Sequence, residues 1–287
     1  MFPIVEANWL APGIRRLIVR APHVLRHHQP GHFVIVRVAS EGERIPLTVA
    51  DTNHDQQTIT LIIQVVGATT EQLCNLETGQ DVLDVAGPLG KPTEIKKFGH
   101  VALVGGGVGT AVILPQAKAL KNLGNRVSAV IGGRNKEYVI LEKDLSQHCD
   151  AVYPCTDDGS YGYHGFVTGK LNELIADKSS PLDAVIAAGP VPMMKAVADV
   201  TRPHGIHTIV SLNPIMVDGT GMCGGCRVMV GGKMLFACVD GPEFDAHQVD
   251  FDELRDRLTA YRVQEKQAWD RQHGEHTCKC KMTGVRS

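Results

Sequence analysis

At His100 the chain changes rhythm, and that change constrains the fold more than any other feature. The run Val101-Ala-Leu-Val104 is continuously apolar, and Gly105-Gly-Gly107-Val-Gly109-Thr follows at once. A short apolar run closed by glycines and followed by helix formers reads as a buried strand turning into a helix. That helix is predicted over 111–123 and stops at Gly124, because glycine accepts the left-handed conformation that ends helices. Further strands are predicted over 127–131, 151–154, 184–187 and 207–210, with helices over 168–176 and 192–200. Such alternation argues for a parallel sheet with helices on its faces.

Upstream the pattern is different. Short β-branched runs recur at 14–20, 33–38, 47–50, 58–66 and 80–85. Turn formers such as Pro30-Gly31 and Thr52-Asn53-His54-Asp55 separate them. This spacing predicts a small antiparallel barrel or sandwich. The expected fold class is all-β plus α/β, with a β-rich domain over 1–97 and an α/β domain over 98–210. A Gly/Cys-rich region over 211–250 and a C-terminal helix and tail over 251–287 complete the chain. Within them, 227–238 reads as a hairpin turning at Gly231-Gly232, 249–269 as one charged helix, and the last dozen residues as disordered.

The Gly/Cys-rich region carries the strongest chemical signal. It reads Asp218-Gly-Thr-Gly-Met-Cys223-Gly-Gly-Cys226, with Cys238 following. Three cysteines in a C-x2-C-x11-C pattern on a flexible loop can wrap one metal centre. Four-ligand iron–sulfur clusters use C-x4-C-x2-C…C spacings, and here Asp218 holds the first position. A zinc ribbon is the alternative. It usually pairs two such knuckles or adds histidines, and His207 and His247 stand in no knuckle spacing. Structural core thiols suit a polar glycine turn poorly. Asp218 could also simply cap the turn, as aspartate commonly does.

Cys74, Cys149 and Cys155 lie in apolar surroundings and are expected to be buried thiols. Cys278 and Cys280 form a tail with no partner motif, expected exposed, with weak metal binding as the alternative. Eight cysteines without a signal peptide argue for a reducing, cytoplasmic setting. A formal net charge of −2 indicates no nucleic-acid partner, and the absence of an 18-residue apolar run indicates no membrane span.

Two glycine turns stand where nucleotides bind in α/β sheets. The loop 105–109 lies between a strand and a helix, where a helix N-terminus meets a pyrophosphate, although Thr110 takes the last position of G-x-G-x-x-G. Gly189-Pro190 lies at another strand's C-terminal edge. Each alone could be a plain turn. In the β half, Arg44 could pair with a phosphate and Thr48 offers a hydroxyl, against the reading of Arg44 as an ordinary surface arginine.

Together these residues resemble the ferredoxin–NADP reductase superfamily, in the branch of dihydroorotate dehydrogenase electron-transfer subunits. The resemblance covers about 1–250 and implies a flavin barrel, a nicotinamide domain and a C-terminal [2Fe-2S] loop. It implies FAD held by Arg44, Pro46, Leu47 and Thr48 in place of R-x-Y-[ST], with hydride transfer at flavin N5 near Thr48. Leu47 replaces the aromatic that usually covers the ring, and Ile45 stands at the strict arginine position, one place after Arg44. Gly67 and Thr70 match the later flavin-phosphate turn. Gly105, Gly106, Gly107, Gly109 and Thr110, with Gly189 and Pro190, match the nicotinamide side. Asp218, Cys223, Cys226 and Cys238 match the cluster ligands. Asp-plus-three-Cys is similar to the small subunits of NADH-dependent reduced-ferredoxin:NADP oxidoreductases, also called sulfide dehydrogenases; the alternative is a dihydroorotate dehydrogenase subunit.

The resemblance implies an NAD(P)H-dependent oxidoreductase subunit that moves electrons between NAD(H), FAD and [2Fe-2S]. Its partners would be a larger flavin/iron–sulfur subunit and ferredoxin. NADP(H) is the alternative nucleotide, since Arg134 and Lys136 could meet a 2′-phosphate.

Overall fold

The computed structural model describes residues 1–274. Seven strands build its first half: β1 (Phe2–Ala11), β2 (Ile14–Arg20), β3 (Phe33–Arg37), β4 (Arg44–Asn53), β5 (Thr58–Gln64), β6 (Asp81–Val82) and β7 (Asp84–Leu89). They pair antiparallel in the order β6-β1-β2-β5-β4-β3-β7, curled into a nearly closed barrel. Helices α1 (Pro22–Leu25) and α2 (Ala68–Cys74) interrupt them.

Alternation along β3 and β4 sorts side chains between two cores. Val34 and Val36 face Leu47 and Ile45 across the ladder and fill the barrel with Leu17, Ile59 and Leu61. Phe33 and Ile35, opposite Thr48 and Pro46, turn outward and join the core of the second half. A strand with period two thus serves both modules at once.

The second half holds β8 (His100–Gly106), β9 (Arg126–Gly133), β10 (Ala151–Thr156), β11 (Tyr163–His164), β12 (Ala184–Ala188) and β13 (His207–Ser211). These pair parallel, and all seven residues of β8 are buried. That burial explains their unbroken apolar runs. Helix α3 (Gly109–Asn122) covers Val101 and Leu103 on one face. Helices α5 (Val167–Ala176) and α6 (Val191–Thr201) cover Ala102 and Val104 on the other, and α4 (Glu142–Ser146) precedes β10.

The C-terminal part forms a hairpin, β14 (Arg227–Val230) and β15 (Lys233–Phe236), then α7 (Ala237–Asp240), β16 (Glu243–Asp245), α8 (Phe251–Arg257) and α9 (Arg262–Gly274). Gly231 and Gly232 turn the hairpin with φ of +58° and +73°, the doubly left-handed turn that suits strand twist. β16 adds antiparallel to β13, so the sheet runs β11-β10-β9-β8-β12-β13-β16.

The structure departs from the expectations at several elements. β1 has no counterpart in the predicted strands, because its apolar residues do not alternate (Ile4-Val5 and Trp9-Leu10-Ala11 are adjacent, after Pro3) and only Ile4 and Ala11 of its ten residues are buried. The turn at 67–70 is the start of α2, and 80–85 splits into β6 and β7. The single helix expected over 249–269 is two. α8 is anchored by buried Phe251 and Leu254, whereas α9 buries no residue. Between them Thr259 Oγ1 donates to the Asp256 carbonyl (2.7 Å), a local bond that competes with helix continuation. Cys74 and Cys155 are buried, but Cys149 is only partly so. The expected disordered tail, with Cys278 and Cys280, lies outside the described residues. Among the described residues, no helix is long and apolar enough to cross a membrane.

Candidate functional site

A cleft of about 940 Å³ opens between barrel and parallel sheet. It lies where the strand order reverses, between β8 and β12, the position at which open α/β sheets bind ligands. Its size suits a cofactor or nucleotide. Pro46, Leu47, Thr48, Ile62 and Gln64 form the barrel wall. Gly106, Gly107, Gly109, Gly189 and Pro190 form the opposite wall.

The two glycine turns pack on each other, and that contact demands glycine. A Cβ on Gly109 would lie 2.1 Å from the Ala188 carbonyl oxygen, which is fixed backbone. Gly107 has φ +54° and donates its N–H to the Gly132 carbonyl (2.9 Å). Val108 and Gly109, at the N-terminus of the 14-residue α3, therefore line the cleft floor, while the Thr110 and Ala111 N–H groups turn back to the Gly107 and Val108 carbonyls (3.1 and 3.0 Å). Gly105 and Thr110 sit behind this surface. A Cβ on Gly105 would meet the Thr110 Cα at 2.8 Å, and Thr110 is buried. They shape the turn from the rear.

On the barrel side, Arg44, Pro46 and Thr48 share the outward face of β4, whereas Ile45 and Leu47 pack toward the barrel core. An arginine at position 45 would point into the barrel. The one-residue offset of Arg44 thus keeps it on the face of Thr48. Arg44 is exposed and is not among the cleft-lining residues. Gly67 and Thr70 also lie outside the lining. There Thr70 Oγ1 accepts from the N–H groups of Val66 (2.9 Å) and Gly67 (3.0 Å), capping α2.

Several cleft residues were not singled out from the sequence: Asp157, Phe166, Asn213, Met216 and Pro242. They come from loops distant in sequence, so no spacing marks them. Arg134 also lines the cleft, its guanidinium 4.3 Å from the Tyr138 ring centroid. Lys136 does not; its ammonium lies over Tyr161 at 5.3 Å.

The cysteine loop leaves the cleft directly. Met216 lines the cleft and shares one apolar core with Cys226, Cys238 and Phe33. Cys226 and Cys238, brought together by the hairpin, have sulfurs 3.2 Å apart. The Gly225 N–H points to the Cys223 sulfur and the Cys238 N–H to the Cys226 sulfur, each at 3.4 Å. Cys223 is exposed. Asp218 accepts from the Thr220 N–H (2.8 Å) and the Cys223 N–H (3.0 Å). The Thr220 bond comes first among the causes that hold its carboxyl below the ordinary aspartate value. Burial pushes the Cys238 thiol up, reinforced by Cys226.

Among the described residues, no three His, Cys, Asp or Glu side chains already converge on one point. The donors nonetheless suit iron: three thiols and a carboxylate on one loop, with amides aimed at sulfur. Metal binding there must expel the thiol protons.

A family model described as the iron–sulfur cluster binding domain of dihydroorotate dehydrogenase B matches residues 213–250. A Thermotoga maritima relative, named dihydroorotate dehydrogenase B (NAD(+)) electron transfer subunit homolog, is 46% identical over 268 residues, covering 93% of this chain and 94% of the relative. The chain belongs to the family of dihydroorotate dehydrogenase B-type electron-transfer subunits. The Streptococcus mutans member of this family, named as the electron transfer subunit itself, is 34% identical over 258 residues, covering 87% of this chain and 97% of its own. The structure of an NADH-dependent reduced ferredoxin–NADP oxidoreductase, reported with flavin-based electron bifurcation, is 45% identical. Its TM-score is 0.90, with 95% of this chain and 98% of that chain covered. Phthalate dioxygenase reductase, at 17% identity and a TM-score of 0.59, shares the fold. The family thus keeps a flavin-reductase architecture with an iron–sulfur loop at its end.

Proposed function

We propose that this chain is the small electron-transfer subunit of a ferredoxin:NADP oxidoreductase of the sulfide-dehydrogenase type, working with a larger flavin/iron–sulfur subunit and ferredoxin. One observation carries the reading: a single cleft joins the barrel wall at Thr48 to the two glycine turns, and its floor residue Met216 leads into the cysteine loop. The chain is an NAD(P)H-dependent oxidoreductase subunit using FAD, NAD(H) and an iron–sulfur cluster. When bound, flavin and cluster together supply conversion between two-electron and one-electron transfer.

The protein's part is to hold and screen these groups. Pro46, Leu47, Thr48 and Arg44 would hold FAD from β4, with Gly67 and Thr70 at its phosphates, across the segment 1–97. Gly106, Gly107 and Gly109 would meet nucleotide phosphates at the N-terminus of α3, with Gly105 and Thr110 supporting the turn from the rear. Gly189 and Pro190 would bound the nicotinamide side. Asp218, Cys223, Cys226 and Cys238 would ligate a [2Fe-2S] cluster. Apolar Ile62, Met216 and Pro242 would keep water from the cleft. We place the protein in the cytoplasm, a reading supported by eight cysteines that suit a reducing compartment.

Dihydroorotate oxidation is the second reading, favoured by the names of the Thermotoga and Streptococcus relatives. Asp218 at the first ligand position, together with the 0.90 TM-score, weighs toward the first. The experiment uses the full chain purified with its native partners. Acid-released flavin should chromatograph as FAD. The flavin-loaded chain should then bleach under anaerobic NADH without the large subunit. FMN in place of FAD, or no bleaching by NADH or NADPH, overturns the proposal.

A further inference from the structure

Behind the cleft, three modules meet at the carboxyl of half-buried Glu243. Glu243, at the start of β16, accepts from Thr93 Oγ1 (2.7 Å) and Gln116 Nε2 (2.5 Å). Thr93 lies in the segment joining barrel to sheet, and its N–H donates to the Pro30 carbonyl (2.7 Å) in the barrel. Gln116 lies on α3 and is fully buried. Gly31 completes the enclosure, since a Cβ there would lie 2.6 Å from Thr93 Oγ1 and 3.2 Å from Glu243 Oε1.

The knot adjoins the cleft. Phe33 and Pro242, neighbours of the barrel turn and of Glu243 respectively, both line the cleft. They also enclose Gly90 together, whose Cβ would lie 2.9 Å from the Phe33 ring and 3.0 Å from Pro242 Cδ. The Lys91 N–H donates to the Gly241 carbonyl (2.6 Å), and the Leu212 N–H to the Pro242 carbonyl (2.9 Å). A shift at Glu243 is therefore transmitted to the cleft wall.

The bonding is unbalanced in an informative way. Gln116 Oε1 is buried without a hydrogen-bond partner. An orphaned buried acceptor destabilises the folded state. A carboxylate beside that amide has no donor to offer, whereas a carboxylic acid has one. Among the described residues no cation pairs with Glu243. On the surrounding elements Lys91 faces Asp240 (3.9 Å), Lys118 of α3 faces Asp51 (2.7 Å) and Glu94 pairs with Lys96 (3.1 Å). Asp245 accepts from the His247 N–H (2.9 Å), and His32 accepts from the Gln29 N–H (3.0 Å). None of these is directed at Glu243.

We propose that Glu243 is held as a neutral carboxylic acid, and that this proton locks barrel, α3 and β16 together so that the cleft keeps its nucleotide-binding shape. Glu243 is a positioning residue, acting on the cleft through Pro242 and Phe33. Burial pushes its carboxyl up, and the Thr93 and Gln116 bonds pull only partly the other way. Between the unfolded and folded pKa values the native state binds more protons than the unfolded one. Stability therefore falls as pH rises through that window, starting just above the ordinary glutamate value.

The test rests on the functional reading for one arm and is independent of it for the other. Thermal midpoints of the full chain are measured against pH for wild type, Glu243→Gln and Glu243→Ala, and NADH affinity is measured on the FAD-loaded forms. Glu243→Gln, permanently neutral, should hold its midpoint and affinity as pH rises. Wild type should lose affinity by about tenfold per pH unit once Glu243 ionises. Glu243→Ala should bind NADH weakly at every pH. If Glu243→Gln and wild type share one pH profile in both measurements, the clamp is overturned. If no form binds NADH but the wild type alone loses stability with pH, the functional reading fails and the clamp stands.

Discussion

Asp218 shows how one side chain can satisfy two readings. Its two oxygens accept from the amides of Thr220 and Cys223, which is turn capping. An ionised carboxylate has about four lone-pair sites, so the same geometry leaves room for iron. The variants separate the roles. Asp218→Asn keeps a carbonyl acceptor for the turn but removes the anionic oxygen. It should lower iron per chain and alter the EPR g-values of any remaining cluster. Asp218→Cys should retain the cluster at a lower potential, because thiolate donates more electron density than carboxylate. Unchanged spectra in both variants would leave Asp218 as a cap alone. Gly109 gives a second residue-scale prediction. A methyl there collides with the Ala188 carbonyl oxygen at 2.1 Å, and Ala188 is held in the sheet between Gly105 of β8 and Ser211 of β13. Gly109→Ala should cost about 1–3 kcal/mol by overpacking. A depressed melting temperature and weakened NADH binding are the expected signs.

Among elements, the β14–β15 hairpin decides whether the cysteines can act together. Cys226 precedes β14 and Cys238 follows β15, and antiparallel pairing of Arg227 with Phe236 brings their sulfurs together. The turn depends on Gly231 at φ +58°, a conformation that costs an L-residue about 1–2 kcal/mol. A Cβ at Gly231 would also press on Gln248 Oε1 at 2.6 Å, the flexible end of a side chain. Gly231→Val should therefore reduce iron per chain while leaving flavin content unchanged. Equal loss of flavin and iron would mean that the hairpin supports the whole fold instead. Apart from the two-residue β11, the parallel strands and the hairpin were readable because burial and turn chemistry write themselves locally. β1 and β16 were not. β1 is largely exposed, and β16 is three residues long and exists only because β13 offers an edge.

At the scale of the whole molecule, the barrel and the sheet share a wall, and the cysteine loop is packed on that wall. A Cβ on Gly219 would lie 2.9 Å from Ile35 and 2.7 Å from Leu89, both barrel residues. The cleft and the loop are thus neighbours through packing, and their chemistry should be separable. Chelating iron from the full, flavin-loaded chain should leave NADH bleaching intact and abolish reduction of a one-electron acceptor. Bleaching lost together with iron would show that the loop holds the cleft in shape.

The order of modules, the glycine turns and the ligand spacing were determined by the sequence alone, because each depends on local backbone needs or short-range spacing. Gly231-Gly232, the strand–glycine–helix run at 101–111 and the C-x2-C pair are of that kind. Only the tertiary structure decided which face each β4 residue presents, and so why Arg44 and not position 45 accompanies Thr48. It alone placed Lys136 away from the cleft and brought Phe33, Asp157, Met216 and Pro242 into it. It alone set Glu243 against Thr93 and Gln116, residues 150 and 127 positions away. Such contacts are made by chain closure across the core, and no local periodicity encodes them.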